Sequence, residues 1–358
     1  MNDTKDDSHG ARPGIRVLTG DRPTGPLHLG HYFGTLANRV RLQREGADLL
    51  VVVADFQVIT DRELPTEIDS LTTGLVLDYL SCGLDPDATT IFAHSCVPAL
   101  NQLLLPFLSL VSTSELERNP TVKEEVRLSG RSSVSGLMLA YPVHQAADIL
   151  FCKAQLVPVG KDQLPHLELT RSIARRFNER YGPVFGLPDA LLGEAPVLAG
   201  LDGRKMSKSL GNAIALTDSP DVVAAKVRGA KTDADRSIAF DPIARPDIAN
   251  LLTLAGLCLG QQPETIADEL GSSSSSGGAA QLKRVVTDAV NDFLAPIRGR
   301  RAELSSHDAL DILDRGAERA AMIADDTLAE VREAMGMSYR RQSLSQPRTS
   351  VRAALIGG

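Results

Sequence analysis

Two short runs of this 358-residue chain carry side chains suited to holding a polyphosphate. The first is Thr19-Gly20-Asp21-Arg22-Pro23-Thr24-Gly25-Pro26-Leu27-His28-Leu29-Gly30-His31. Its glycines and prolines force a tight turn, and the shared helical face of Leu29, Phe33, Leu36 and Val40 predicts a helix starting near Leu29. His28 and His31 then stand three residues apart at a helix N-terminus, where imidazoles and free backbone N–H groups meet phosphate oxygens. Gly30 between them lets a flat ring close on the backbone. The second run is Lys205-Met206-Ser207-Lys208-Ser209, after a strand expected over 197–201 and a turn at 202–204. Two lysines three apart on a loop offer mobile ammonium groups to phosphate, and the serines add donors. Taken singly, each run is also readable as a helix cap or a solvated loop.

The elements that must position these runs differ between the two halves. Short apolar or β-branched runs at 15–19, 49–54, 90–94 and 156–159 alternate with helical spacing such as 68–80, which implies a mainly parallel sheet covered on both faces. Beyond residue 212 the pattern is helical. Ser219-Pro220 reads as an N-cap with Pro at the first turn and Gly229 as the stop, and 245–260, 263–270, 280–294 and 307–336 all carry helical spacing. The expected organisation is a loose leader over 1–13, an α/β domain over 14–212, a helical domain over 213–338 and a flexible tail over 339–358. The serine run at 271–278 is expected to be a flexible loop between two helices.

Composition narrows the classes. With 43% hydrophobic and 23% charged residues, the chain is an ordinary globular protein. It has no tryptophan and only nine phenylalanines and five tyrosines, which argues against a module that stacks bases on aromatic rings. A net charge of −7 disfavours a protein gripping nucleic acid over its whole surface, while leaving local basic patches open. The longest apolar runs fall far short of the roughly 18 residues a membrane span needs. The first residues are polar and acidic without the apolar stretch of a secretory signal, so a cytoplasmic location is the default. Cys82, Cys96, Cys152 and Cys258 lie far apart, so neither a zinc knuckle nor a disulfide framework is expected.

The order HLGH, more than 170 residues of α/β sequence, KMSKS and then a helical segment resembles the class I aminoacyl-tRNA synthetases. Within that class, residues 15–337 resemble the tryptophanyl-tRNA synthetase family. The segments Glu115-Leu116-Glu117-Arg118, Gln145-Ala146-Ala147-Asp148-Ile149-Leu150 and Val157-Pro158-Val159-Gly160-Lys161-Asp162-Gln163 carry the resemblance between the two signatures. It implies a Rossmann-like parallel-sheet catalytic domain followed by an α-helical tRNA-binding domain, working as a homodimer. The implied reaction is attack of the L-tryptophan carboxylate on the α-phosphate of ATP, then transfer of tryptophan to the terminal ribose of tRNA(Trp). Such a nucleophile is already ionised at neutral pH, so the chemistry asks for positioning and for cationic donors around the leaving pyrophosphate. Mg²⁺ carried chiefly by the phosphates would complete the charge balance.

The resemblance implies these roles residue by residue. His28, His31, Lys205 and Lys208 serve the phosphates, with Arg127 as the match for a mobile basic contact. Arg22, Pro23, Thr24, Gly30, Gly160, Lys161, Met206, Ser207 and Ser209 surround ATP, with Asp162 on the ribose and Val197 against adenine. For tryptophan, the indole N–H is a donor only, so a buried acceptor is the natural discriminator. Asp148 stands in the apolar run AADILF, where an unpartnered carboxylate is costly; internal pairing with an arginine or a helix end is the other reading of that residue. Tyr141, Gln145 and Gln163 are expected at the ammonium group and pocket wall, with Gln57, Leu18 and Gly20 also lining the pocket. Leu18, Arg22 and Gln57 depart from the commoner bacterial pattern of an aromatic, Gln and His, which implies the divergent second type of bacterial enzyme. Cys258 is the single cysteine of the helical part, so no iron–sulfur cluster is expected. A tyrosine-specific enzyme, a small nucleotidyltransferase and a non-enzymatic tryptophan or RNA sensor are the competing readings.

Overall fold

The computed structural model describes residues 13–60, 67–129, 134–160, 163–192, 198–207, 210–272 and 278–339. The leader up to residue 12, the tail from 340, residues 273–277 of the serine run, and Lys161, Asp162, Val197, Lys208 and Ser209 lie outside these residues.

Five parallel strands form one sheet in the order β3-β2-β1-β4-β5. They are β1 (Arg16–Asp21), β2 (Asp48–Val53), β3 (Thr89–Ala93), β4 (Leu156–Val159) and β5 (Asp189–Leu192). β2 and β3 are buried along nearly their whole length, as expected of β-branched runs covered on both faces. The expectation of a strand over 197–201 is not met: Ala199 makes only an isolated antiparallel bridge to Lys205. The fifth strand is instead β5, a short, half-exposed edge that pairs with β4.

Between these strands run α1 (Leu29–His31), α2 (Ala37–Arg44), α3 (Ile68–Ser81), α4 (Pro98–Gln102), α5 (Leu104–Leu108), α6 (Thr113–Arg118), α7 (Pro120–Ser129), α8 (Gly136–Phe151) and α9 (Leu164–Tyr181). A π turn, Tyr32–Leu36, joins α1 to α2. This wide turn falls within the expected face of Leu29, Phe33, Leu36 and Val40: Phe33 is only partly buried while the other three are buried, and Arg39 ends up buried beneath β1.

The helical part comprises α10 (Pro220–Arg228), α11 (Pro246–Leu259), α12 (Pro263–Ser272), α13 (Gly278–Ala302) and α14 (Ser306–Ala334). Its ends follow cap chemistry. Ser219 accepts from the Val222 N–H with Pro220 in the first turn, Gly260 closes α11 in the left-handed region at φ +67°, and Ser305 with Asp308 forms a reciprocal capping box. α13 and α14 reach back over the sheet: Arg300 donates to the Ser81 carbonyl (2.7 Å) and Thr327 to that of Phe151 (2.6 Å). One continuous apolar core therefore includes Val51 and Ile91 of the strands together with Ile248, Val286 and Ile312 of the helices.

α14 lies so close to β3 that a methyl group on Gly316 would sit 1.8 Å from the Ile91 carbonyl oxygen. Gly316→Ala must lift the helix off the strand. It is expected to destabilise the protein by about 3 kcal/mol, at the upper end of overpacking effects. Gly299→Ala, with nothing within 4 Å, serves as the control. Calorimetric melting checks this: a clear fall in Tm for the first and none for the second is the expected result.

Candidate active site

A cavity of about 320 Å³ opens where the strand order reverses, between the C-terminal ends of β1 and β4. This is where ligands bind in open parallel sheets, because the loops leaving two neighbouring strands diverge there. β1 contributes Leu18 and Gly20 and leads into Arg22, β4 leads into Gly160, and Gln163 stands at the start of α9. Tyr141, Gln145 and Asp148 are spaced at i, i+4 and i+7 along α8 and line the same cavity. Gln57, in the turn after β2, closes the set. All seven residues expected to line the tryptophan pocket thus meet in one place, with Arg22 and Gly160 beside them.

Gly20 is required by packing as well as by position. Its strand partner is Val52, and a methyl group at Gly20 would lie 2.3 Å from the Val52 carbonyl oxygen. The floor beneath it is ionic. Arg39, 1% exposed, reaches Asp21 Oδ2 at 2.6 Å and Thr19 Oγ1 at 3.1 Å, and Tyr79 donates to the same carboxylate at 2.8 Å. Burial alone would raise the Asp21 pKa, but the Arg39 charge and these hydrogen bonds outweigh it and hold the carboxyl below its ordinary value. Sequence reading missed this network, since an arginine in a helical repeat is ordinarily taken as solvent-facing.

Asp148 is 3% exposed, and it is paired. Its Oδ1 lies 2.8 Å from His94 Nε2, at the C-terminal end of β3. The two atoms are close enough for an ion contact, yet the N–H is not aligned on the oxygen, and neither makes a well-formed hydrogen bond. The internal partner is therefore a histidine, where an arginine or a helix end was the alternative expected. Tyr141 Oη lies 3.1 Å from His166 Nε2. Burial, reinforced by Glu125, pushes the Tyr141 phenol well above its usual pKa, so it is a neutral wall group.

The two signature runs are stitched together beside the cavity. Leu29 N–H donates to the Ile214 carbonyl (3.0 Å), Leu216 N–H to that of Leu27 (2.9 Å), and His28 bridges Ala215. The Met206 sulfur comes within 3.0 Å of where a Gly30 methyl would sit. Gly30 therefore matters for close approach, here of the second signature. His28 and His31 face each other with ring centroids 3.7 Å apart, and the His31 imidazole accepts from the His28 N–H at 3.2 Å, a capping box built of imidazoles. Thr35, a cavity residue, donates to the His31 carbonyl and ties this cap to the pocket wall.

Asn212, unremarked in the sequence, shapes the second loop. Its side chain accepts from the Ser207 N–H and donates to Asp202 and to the Lys205 carbonyl, leaving the Lys205 side chain exposed. The Asn212 hydrogen bond, with those from Arg204, holds the Asp202 carboxyl down to about 2. Pro23, Thr24, His28, Gly30, His31, Lys205, Met206 and Ser207 sit at this junction and do not line the cavity itself.

Arg127 is not brought to the site. Arg127, matched to a mobile basic contact, lies in α7, which is helical up to residue 129; its side chain, 68% exposed, is clasped by Glu124 one turn earlier at 2.6 and 2.8 Å. Glu125 of the same helix lines the cavity and stands 3.6 Å from Arg22. Lys226 and Lys231, near the start of the helical part, are engaged by Asp218 and Asp247.

Comparison with known proteins matches residues 11–295 to the family described as tRNA synthetases class I (W and Y). The tryptophan–tRNA ligase of Treponema pallidum (strain Nichols) is 42% identical over 332 residues, covering 91% of this chain and 98% of that one. That of Streptococcus mutans is 43% identical over 338 residues, covering 90% and 98%. Among solved structures, tryptophanyl-tRNA synthetase from Campylobacter jejuni complexed with ADP and tryptophan superposes with a TM-score of 0.80 at 29% identity, covering 90% of this chain and all of that one. Tyrosyl-tRNA synthetase from Archaeoglobus fulgidus, at 23% identity and a TM-score of 0.62, shares the fold. The joined signatures, the cavity at the reversal of strand order and the end-to-end match to these ligases together mean that this chain belongs to the tryptophanyl-tRNA synthetases of class I.

Proposed function

We infer that the protein activates L-tryptophan with ATP, forming tryptophanyl-adenylate and pyrophosphate, and then transfers tryptophan to the terminal ribose of tRNA(Trp). The observation that carries this is a buried carboxylate, Asp148, lining a small cavity directly beside the HLGH–KMSKS junction. A buried acceptor satisfies an indole N–H and rejects phenylalanine, which would leave it unpaired. Tyr141, Gln145 and Gln163 take the ammonium end and place the substrate carboxylate toward the junction. Because that carboxylate is already ionised, no base is needed; orientation and positive charge do the work.

In this reading His28, His31, Gly30 and the 205–209 loop hold the triphosphate, while Pro23, Thr24, Arg22 and 160–162 hold the rest of the nucleotide, with Val197 on adenine. Arg127 reaches the phosphates only by leaving Glu124. Mg²⁺ travels with the nucleotide phosphates. Among the described residues the one three-membered group of close metal-type donors is His94, His144 and Asp148. That imidazole-rich set at the indole end does not suit an ion that prefers oxygen ligands, so no step is assigned to a protein-held Mg²⁺. A cytoplasmic homodimer, with the helical part over 213–338 reading tRNA(Trp), belongs to the same proposal. No helix among the described residues is long and apolar enough to cross a membrane.

The absence of tryptophan from the chain makes the binding step directly visible. Titration with L-tryptophan is expected to give a saturable change in indole emission against a tyrosine-only background, not reversed by phenylalanine. Emission identical to that of free tryptophan throughout the titration would contradict the assignment of the cavity.

A further inference from the structure

Asp148 belongs to a buried chain of ionisable groups that the reaction itself does not require. His94 stands at the end of β3, fully buried, with Asp148 at 2.8 Å on Nε2 and Asp55, from the turn after β2, at 4.0 Å on Nδ1. Asp55 is itself fixed, accepting from the Phe56 and Ser95 N–H groups and the Ser95 hydroxyl. The Phe56 ring stacks over the imidazole at 6.4 Å, and the His144 ring meets it edge-on at 4.7 Å.

The state of His144 follows from its neighbour. The Asn101 amide NH₂ donates to the carbonyls of His94 (2.9 Å) and Val97 (3.1 Å), so its oxygen must face His144 Nε2 at 2.7 Å and accept from it. Burial lowers the His144 pKa and keeps that ring neutral. For His94 burial acts the same way, but the charge and proximity of Asp148, with Asp55 behind, outweigh it and raise the pKa above the ordinary value. The two imidazoles are thus pushed in opposite directions, His94 toward its charged form and His144 toward its neutral one.

A metal site is the competing use of these three side chains, whose donor atoms all lie within 4.8 Å of one another. Two ligands of a tetrahedral zinc stand about 3.3 Å apart for bonds of 2.0–2.1 Å. His94 Nε2 and Asp148 Oδ1, at 2.8 Å, are nearer than that and form a close ion contact instead.

We propose that His94 is a positioning residue for substrate selection: by holding Oδ1 of Asp148 inside the protein it fixes the carboxylate so that its other oxygen meets the indole N–H. The inference rests on the tryptophan reading of the cavity. Oδ1 is sealed from solvent, whereas Asp148 as a whole lines the cavity. Without His94 the carboxylate loses the imidazole against its Oδ1 and its fixed rotamer, so the cost falls on tryptophan recognition and not on ATP.

The test is ATP–pyrophosphate exchange by the full chain with His94→Leu and His94→Gln, the second retaining a side-chain donor. His94→Leu is expected to raise the KM for tryptophan at least tenfold, with a smaller change in kcat and none in the KM for ATP, and to lower the preference for tryptophan over phenylalanine. His94→Gln should recover most of that loss. The pH profile separates positioning from mere packing. His94 keeps its charge below its raised pKa and loses it as pH rises through that value, so the wild-type KM for tryptophan should climb on the alkaline side, while that of His94→Gln stays flat. A His94→Leu enzyme with tryptophan KM and selectivity within twofold of wild type would overturn the proposal, as would KM values for ATP and tryptophan rising together. If His94→Leu does not fold, a His94→Gln profile that climbs as the wild type does overturns it equally. Wild-type protein with no tryptophan-dependent exchange would instead sink the functional reading on which this one rests.

Discussion

Asp148→Ala is expected to lower kcat/KM for tryptophan activation by about 100-fold, leaving the KM for ATP within threefold of wild type. The size follows from two losses at one buried point. A hydrogen bond to a charged acceptor contributes about 1.5–3 kcal/mol, and each 1.4 kcal/mol is tenfold. His94, buried behind the carboxylate, would also lose the counter-charge 2.8 Å away. Selectivity should collapse further than rate. Wild-type enzyme pays for leaving Asp148 unpaired when phenylalanine enters, and the variant has no such penalty, so the ratio of kcat/KM for tryptophan to that for phenylalanine should approach what ring size alone provides. Steady-state exchange kinetics with both amino acids read this directly. A variant with unchanged selectivity would show that the indole is recognised elsewhere in the cavity.

Lys205→Ala is expected to cut the exchange rate by about 10²- to 10³-fold, the usual effect of removing one preorganised donor to developing charge. The affinity for tryptophan, followed by substrate fluorescence, should not change. The prediction depends on the loop as well as the charge: Asn212 holds the Ser207 N–H and the Lys205 carbonyl, and the 213–216 backbone joins this loop to the first signature. Asn212→Ala should therefore lower the same rate in the same direction while leaving the Lys205 ammonium in place. A Lys205→Ala enzyme losing tryptophan affinity in proportion to rate would place that lysine in general folding of the site.

Which features the amino-acid sequence reveals, and which it hides, has a physical pattern. Runs such as 49–54 are legible as strands because a strand covered on both faces must be apolar throughout. Ser219-Pro220 and Gly260 are legible as helix ends because backbone groups at those points need side-chain or left-handed solutions. β5 is hidden: DALL has no β-branched residue, and its half-exposed edge owes its conformation to pairing with β4. The apolar look of 197–201 misleads for the converse reason, since residues 198–201 pack a tight turn, with Leu198 and Leu201 buried around a single bridge.

The site divides in the same way. Asp148 announces itself as a charge inside an apolar run, whereas Tyr141 and Gln145 come only with the family resemblance, and α8 then sets all three on one face. His94 and Arg39 do not, because the partners that make them necessary, Asp148 for one and Asp21 for the other, come from distant sequence and meet them only in the fold. Arg127 is the opposite case. Glycine and serine after it suggest a loop, but Glu124 stands three residues earlier and a helical turn brings the pair together.

The central claim is that the cavity at the β1–β4 reversal selects tryptophan for activation at the adjoining phosphate junction. ATP–pyrophosphate exchange with tryptophan, tyrosine and phenylalanine offered in parallel tests it most directly. Exchange that depends on tryptophan, with kcat/KM for tyrosine and phenylalanine lower by at least about 10³-fold as expected for a site built around a buried polar partner, is the predicted result. Exchange driven equally well by tyrosine, or proceeding without any of the three, would contradict it.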